Sequence, residues 1–98
     1  MRFDGLFVSG DVMAAEFIQY ASSLGIRIPE DVQVVGFDDT FVSELTTPAI
    51  TTIHQPPHEM AESAAEMLVR AVKEKETPSS VVLPVSLIRR GSTSWERQ

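Results

Sequence analysis

Apolar residues in this chain fall in short β-branched runs, separated by stretches where they recur every three or four positions. Leu6-Phe7-Val8, set between Asp4-Gly5 and Ser9-Gly10-Asp11, is the first run and reads as a strand. Met13, Ala14, Phe17, Ile18, Ala21 and Leu24 then lie at helical spacing and predict one apolar face of a helix over 12–24. Asp11 is placed to cap that helix, because a carboxylate there accepts an otherwise unpaired N–H. Gly25 suits the left-handed residue just past a helix end. Ile26 to Asp31, with Pro29 inside it, is a connection. Val32-Gln33-Val34-Val35-Gly36 follows, a run of the kind buried on both faces of a parallel sheet, and it delivers Asp38 and Asp39 just past its end.

Strand, helix and strand within about 33 residues is the size of one βαβ unit, whose right-handed crossover makes the strands parallel. Parallel strands send Asp11 and Asp38 to the same edge of the sheet. Ligands of open α/β sheets bind beyond the carboxyl ends of the strands, so Asp38 stands where a ligand would be. Ionised carboxylates only accept hydrogen bonds, which suits the vicinal hydroxyls of a sugar. The competing reading leaves Asp11 as a cap and Asp38 as a strand end.

Residues 40–50 show no period and read as irregular. Ile50-Thr51-Thr52-Ile53 is a third strand, ended by Gln55-Pro56-Pro57, where Pro56 suits the first position of a helix. Met60, Ala61, Ala64, Ala65, Leu68, Ala71 and Val72 make the cleanest amphipathic pattern in the chain and read as core. Glu66 and Arg70 lie on the outer side at a favourable spacing. Lys73 to Glu76 is a solvated helix end, stopped at Thr77-Pro78. Val81-Val82-Leu83 and Val85 to Ile88 are strand-like, split by Pro84, which cannot donate to a central ladder. The tail from Gly91 to Gln98 is polar and reads as loose, with Trp95 its one large side chain available for packing.

The 98 residues make at most one small domain, able to bury roughly 60–70% of its unfolded surface. A formal charge of −6 opposes a grip on a phosphate backbone by this stretch. The absence of cysteine removes disulfides, thiolate metal sites and cysteine nucleophiles. No run approaches a membrane span, and Met1 to Gly5 lack a signal-peptide pattern. Asp11, Asp38 and Asp39 could in principle hold magnesium, but no phosphate-cradling glycine loop accompanies them. His54 and His58 are four apart, yet Pro56 and Pro57 intervene, so they read as exposed histidines rather than zinc ligands. No nucleophile–base pair is legible, which speaks against an enzyme, and no cofactor is implied.

Several motifs in order carry a resemblance. Asp4 to Ala14 is similar to a stretch usually written DAIFxxNDxMA. Leu24 to Asp39 is similar to G-x-x-[IV]-P-x-D-[IV]-[SA]-[IV]-V-G-[FY]-D-D. Leu45 to Pro48 and Thr51 to Pro56 resemble L-T-P-P-L-T-T-V-x-Q-P, and Leu83 to Thr93 resembles L-P-x-x-L-[IV]-x-R-x-S-T. Over residues 4–93 the chain resembles the LacI/GalR family of bacterial transcription regulators.

That resemblance implies part of a two-lobed, α/β sensor of the periplasmic-binding-protein type, with a parallel sheet and flanking helices. It implies that residues 4–55 are a βαβ portion of the second lobe, 56–78 a helix of the first lobe, 79–93 return strands and 94–98 a tail. Asp38 falls where the family places its sugar-hydroxyl acceptor, and Asp11 remains a candidate ligand contact from the shared sheet edge. Gly10 falls where the family usually has an effector-contacting asparagine. Gln55 and Pro84 match two crossings between lobes, and the resemblance brings Gln55 towards the ligand as a further binding residue. The helix at 12–24 and the loop at 41–48 match the family's homodimer contact. Operator DNA would be bound only through a helix-turn-helix headpiece that these residues do not include, in a cytoplasmic protein. A fragment of an extracytoplasmic sugar-binding protein of a transporter is the alternative.

Overall fold

The structure is a computed structural model that describes residues 3–77 and 79–94. Its elements are β1 (Gly5–Phe7), α1 (Asp11–Ser23), β2 (Gln33–Val35), α2 (Val42–Leu45), β3 (Thr52–His54), α3 (Pro57–Lys73) and β4 (Ser86–Ile88). Pro78 and Trp95, both of which carried expectations, lie outside the described residues. The chain divides into two compact units: one runs to His54 and resumes at Ser86, the other is Gln55–Val85.

In the first unit β1 and β2 pair in parallel, Leu6 opposite Val34, as the βαβ reading requires. Parallel bridges from Val35 to Thr51 and from Asp38 to His54 continue the pairing towards β3. β3 pairs antiparallel with β4, Ile53 opposite Leu87. The core is small: Val8, Ala14, Ile18, Val32, Val34 and Ile50. Val34 and Ile50 are wholly buried, each worth about 1.5–3 kcal/mol of burial.

The apolar face of α1 is narrower than expected. Ala14, Ile18 and Ala21 are buried, whereas Met13 and Leu24 are exposed. At roughly 100° per residue those two lie some 120–140° around the helix from Ile18, beyond the stripe that reaches the core. The C-terminus closes as foreseen: Gly25 has φ +77°, its N–H donates to the Ser22 carbonyl, and the Ile26 N–H donates to Ala21.

Three other expectations need correction. Residues 40–50 are not wholly irregular, because one helical turn, α2, forms there, too short to show a period. The turn is tied locally, with the Ser43 hydroxyl donating to the Thr40 carbonyl at 2.7 Å. α3 starts at Pro57, with Pro56 as its N-cap, one residue later than predicted. Val81 to Leu83 form no strand: a strand needs a ladder, and the described residues offer them none, leaving Val82 94% exposed.

In the second unit α3 has no buried residue. Its apolar stripe, read from the sequence as core, stays open, with Leu68 66% and Val72 70% exposed.

Candidate functional site

The site begins where β2 ends. Gly36 is buried, Phe37 meets Phe7 edge-on with ring centroids 6.2 Å apart, and the chain then turns sharply. Asp38 and Asp39 have φ of 103° and 54°, two consecutive non-glycine residues in the left-handed region. Such residues each cost on the order of 1–3 kcal/mol and persist only where their surroundings hold them. Here the Asp38 N–H donates to the Ile53 carbonyl at 2.9 Å, and the Asp39 N–H to the Thr52 hydroxyl at 3.2 Å. The Thr40 N–H donates to the Asp11 carboxylate at 2.7 Å.

Asp11 corrects the sequence reading of its cap. The N-cap of α1 is Gly10, in extended conformation, and no side chain caps the helix. Asp11 is the first helical residue, on the same side of the helix as Ile18, and only 2% exposed. Its Oδ1 accepts the Thr52 hydroxyl at 2.8 Å, and its Oδ2 accepts both the amide and the hydroxyl of Thr40.

The parallel strands bring Gly10, Asp11 and Asp38 to one edge as expected. A pocket of about 380 Å³ lies there, lined among others by Gly10, Asp11, Met13, Glu16, Asp38 and Thr40. Asp38 is exposed, and a β-carbon at Gly10 would have nothing within 4 Å. Gln55, the fourth expected site residue, follows β3 directly in sequence and belongs to the second unit.

Asp39 has a different role from its neighbour. Its carboxylate accepts from Arg90 Nη2 at 2.9 Å, meets His54 Nδ1 at 3.0 Å and lies 3.3 Å from the Ser43 hydroxyl oxygen. Burial alone would raise its pKa, but the hydrogen bonds from Arg90 and His54 outweigh it and hold the carboxyl below its ordinary value. Arg90 also donates to the Ser43 hydroxyl at 2.6 Å and to the Ile50 carbonyl at 3.1 Å. His54 is therefore half-buried and engaged, not simply exposed; His58 is exposed, 3.1 Å from Glu62. Among the described residues no cluster of three or more His, Cys, Asp or Glu is placed to hold a metal ion.

The sequence reading passed over Thr52, Arg90 and Ser92. Ser92 is wholly buried and stitches β2 to the stretch before β3. Its hydroxyl donates to the Val34 carbonyl at 2.5 Å and accepts the Thr51 N–H at 2.8 Å, while its own N–H and C=O pair with Ala49 and Val34. Polar residues near a chain end look like tail in a hydropathy pattern. Only the triple Arg90-Gly91-Ser92 inside the quoted closing motif pointed to them.

Next to the pocket at Asp38 along α1, and sharing Val12 and Glu16 with it, a groove of about 430 Å³ is lined by Ala15, Gln19, Thr46 and Thr47 among others. Tyr20, Phe41 and Leu45 are exposed on α1, at the N-cap of α2 and on α2 itself.

Residues 2–93 match the family described as a periplasmic binding protein-like domain. The HTH-type transcriptional repressor PurR of Escherichia fergusonii is 39% identical over 94 residues, covering 95% of this chain and 28% of that protein. The CelR transcriptional regulator in complex with cellobiose superposes with a TM-score of 0.86 at 36% identity, over 91% of this chain and 28% of that one. The lac repressor dimer bound to operator and the anti-inducer ONPF gives 0.84 at 30%, over 92% and 32%. A LacI family regulator from Arthrobacter sp. FB24 in complex with lactose gives 0.81 at 33%, over 95% and 36%. The chain thus spans about a third, or less, of the length of these relatives, all of them transcription regulators rather than enzymes.

Proposed function

Because the chain belongs to the periplasmic binding protein-like domain family, in the branch of LacI/GalR regulators, we propose that it is the C-terminal part of such a regulator's effector-binding and dimerisation domain. It supplies one wall of a cleft that binds a sugar-like molecule, and occupancy of that cleft changes the affinity of a helix-turn-helix headpiece for operator DNA. The mechanism is a population shift: ligand favours one arrangement of the lobes over another. In this reading 4–55 are second lobe, 56–78 a first-lobe helix, 79–93 the return segment and 94–98 a tail. The separate compactness of Gln55–Val85 supports that division.

One observation carries the reading: the turn after β2 raises Asp38 at the sheet edge, beside Gly10 and the start of α1, around a single pocket. Asp38 is the hydroxyl acceptor and Gly10 provides room, while Gln55 is assigned to the effector by the family resemblance alone. Asp38 and Glu16 both line the pocket and, among the described residues, no lysine or arginine does, so this wall suits an uncharged polyol and disfavours a sugar phosphate or sugar acid. The groove beside α1 and the exposed Tyr20, Phe41 and Leu45 support self-association through the 12–24 helix and the 41–48 loop. The protein works in the cytoplasm, without a cofactor and without catalysis. No helix among the described residues is long and apolar enough to cross a membrane. A transporter's solute-binding protein is not favoured, since the relatives named above are regulators.

Calorimetry on the natural polypeptide that carries these residues, with a panel of neutral mono- and disaccharides and their phosphates, tests this. A neutral sugar should bind, and Asp38→Asn should weaken it about tenfold or more while sparing operator affinity. Equal affinity in the Asp38 variant would remove that residue from the site.

A further inference from the structure

Asp11 lines the pocket, yet it is poorly disposed to touch a ligand. A carboxylate offers roughly four acceptor positions. The Thr52 hydroxyl and the amide and hydroxyl of Thr40 occupy three of them, and Oδ1 also fills the space where a β-carbon at Gly36 would stand. A group so enclosed has its bonds inside the protein.

Those bonds converge on the turn that carries Asp38. Beyond β2 the left-handed pair Asp38-Asp39 is held through the Asp38, Asp39 and Thr40 amides. The Thr40 amide donates to Asp11 directly. The Asp39 amide donates to the Thr52 hydroxyl, which donates its single proton to Asp11. A hydroxyl that gives its proton to Asp11 must turn a lone pair elsewhere, and here it faces the Asp39 amide. Asp11 therefore orients one support of the turn and is itself a second.

The geometry points to Asp11 as the positioning residue of the effector site. It sets the direction of the Asp38 carboxylate through Thr40 and Thr52, without contacting the effector. This rests on the reading of Asp38 as the effector contact.

The test uses the natural polypeptide carrying these residues, with Asp38→Asn, Asp11→Asn, the double variant and Thr52→Val. Asparagine at position 11 keeps the size but sets an NH₂ group against a donor. Cellobiose and lactose serve as probes in calorimetry, and backbone NMR follows isotope-labelled aspartate and threonine. In Asp11→Asn the Asp38 and Asp39 resonances should leave the left-handed range and Thr40 amide exchange should quicken. Affinity for the bound disaccharide should fall about tenfold, the scale of one buried donor left unpaired. In the Asp38→Asn background the same substitution should cost no further affinity, although both lower the melting temperature. Thr52→Val should reproduce the resonance changes if Asp11→Asn does not fold.

Unchanged Asp38 and Asp39 resonances overturn the inference whether or not a probe binds. A weakened Asp38→Asn beside an Asp11→Asn of full affinity overturns the positioning role alone, and so does an Asp11→Asn loss that is equal in both backgrounds. Full affinity in Asp38→Asn overturns the effector reading of Asp38, and the positioning role with it.

Discussion

Oδ1 of Asp11 lies in the space that a side chain at Gly36 would occupy, and Ile50 Cγ2 would stand 3.2 Å from the same added carbon. The glycine that ends the β2 run is thus the clearance that lets a buried carboxylate sit against the sheet. Gly36→Ala should destabilise the first unit by about 1–3 kcal/mol, the usual cost of forcing an extra methyl into a packed site. Urea unfolding measures it, and a loss below about 0.5 kcal/mol would mean that Asp11 moves aside freely.

Ser92→Ala removes one hydroxyl and strands two backbone groups, the Val34 carbonyl and the Thr51 N–H. Their burial makes the expected cost about 2–3 kcal/mol, more than a surface serine would show. A melting curve indistinguishable from the parent would require water to have taken the place of the hydroxyl.

Asp39 should make the protein acid-sensitive. Its folded pKa lies below the unfolded value, so the unfolded state binds more protons as pH falls through the carboxylate range. The stability it contributes is complete above the ordinary carboxylate pKa and is lost as pH falls through the lowered one. Asp31 adds to the same window at the surface, where hydrogen bonds from the Arg27 side chain and backbone lower its pKa to about 2. Asp39→Asn should flatten melting temperature against pH as it falls through and below the ordinary carboxylate range, and should cost about 2 kcal/mol at neutral pH by removing the carboxylate that accepts from Arg90. A slope equal to the parent's would place the acid sensitivity elsewhere.

Gly10 offers the opposite case to Gly36. Its φ is −160°, which any residue adopts, and its missing side chain would meet open space. Gly10→Ala should leave stability within about 0.5 kcal/mol while changing the affinity for effector. Stability and calorimetry on the same variant separate the two effects.

The 98-residue chain alone should self-associate, because α3 leaves Leu68 and Val72 open and Val82 is almost wholly bare. Sedimentation velocity across a hundredfold concentration range should show growing species. A cooperative, concentration-independent monomer would contradict this.

The βαβ unit was legible because its signal is local: β-branched runs, one helical period, and Gly25 after it. The shared edge of Asp11 and Asp38 followed from topology alone. What the pattern could not show is which carboxylate faces inward. Asp11, Asp38 and Asp39 are the same residue type, and their fates differ through distant partners, such as Thr52, 41 positions from Asp11, and Arg90, 51 positions from Asp39. The stripe on α3 was read correctly as amphipathic but wrongly as covered, since periodicity reports a face and not what lies on it. Val81 to Leu83 failed as a strand for the same reason: a ladder belongs to two segments.

The Ser92 stitch also bears on the order in which the molecule can be completed. Ser92 bonds Val34 across 58 positions, and Arg90 reaches Asp39 across 51. Chains are synthesised from the N-terminus, so the sheet around β2 and the turn carrying Asp38 wait for residues added 51 to 58 positions later. Until then a nascent chain would hold βαβ structure with an unsealed ligand edge. The turn carrying Asp38 thus reaches its final bonding only once residues 90–92 have been added.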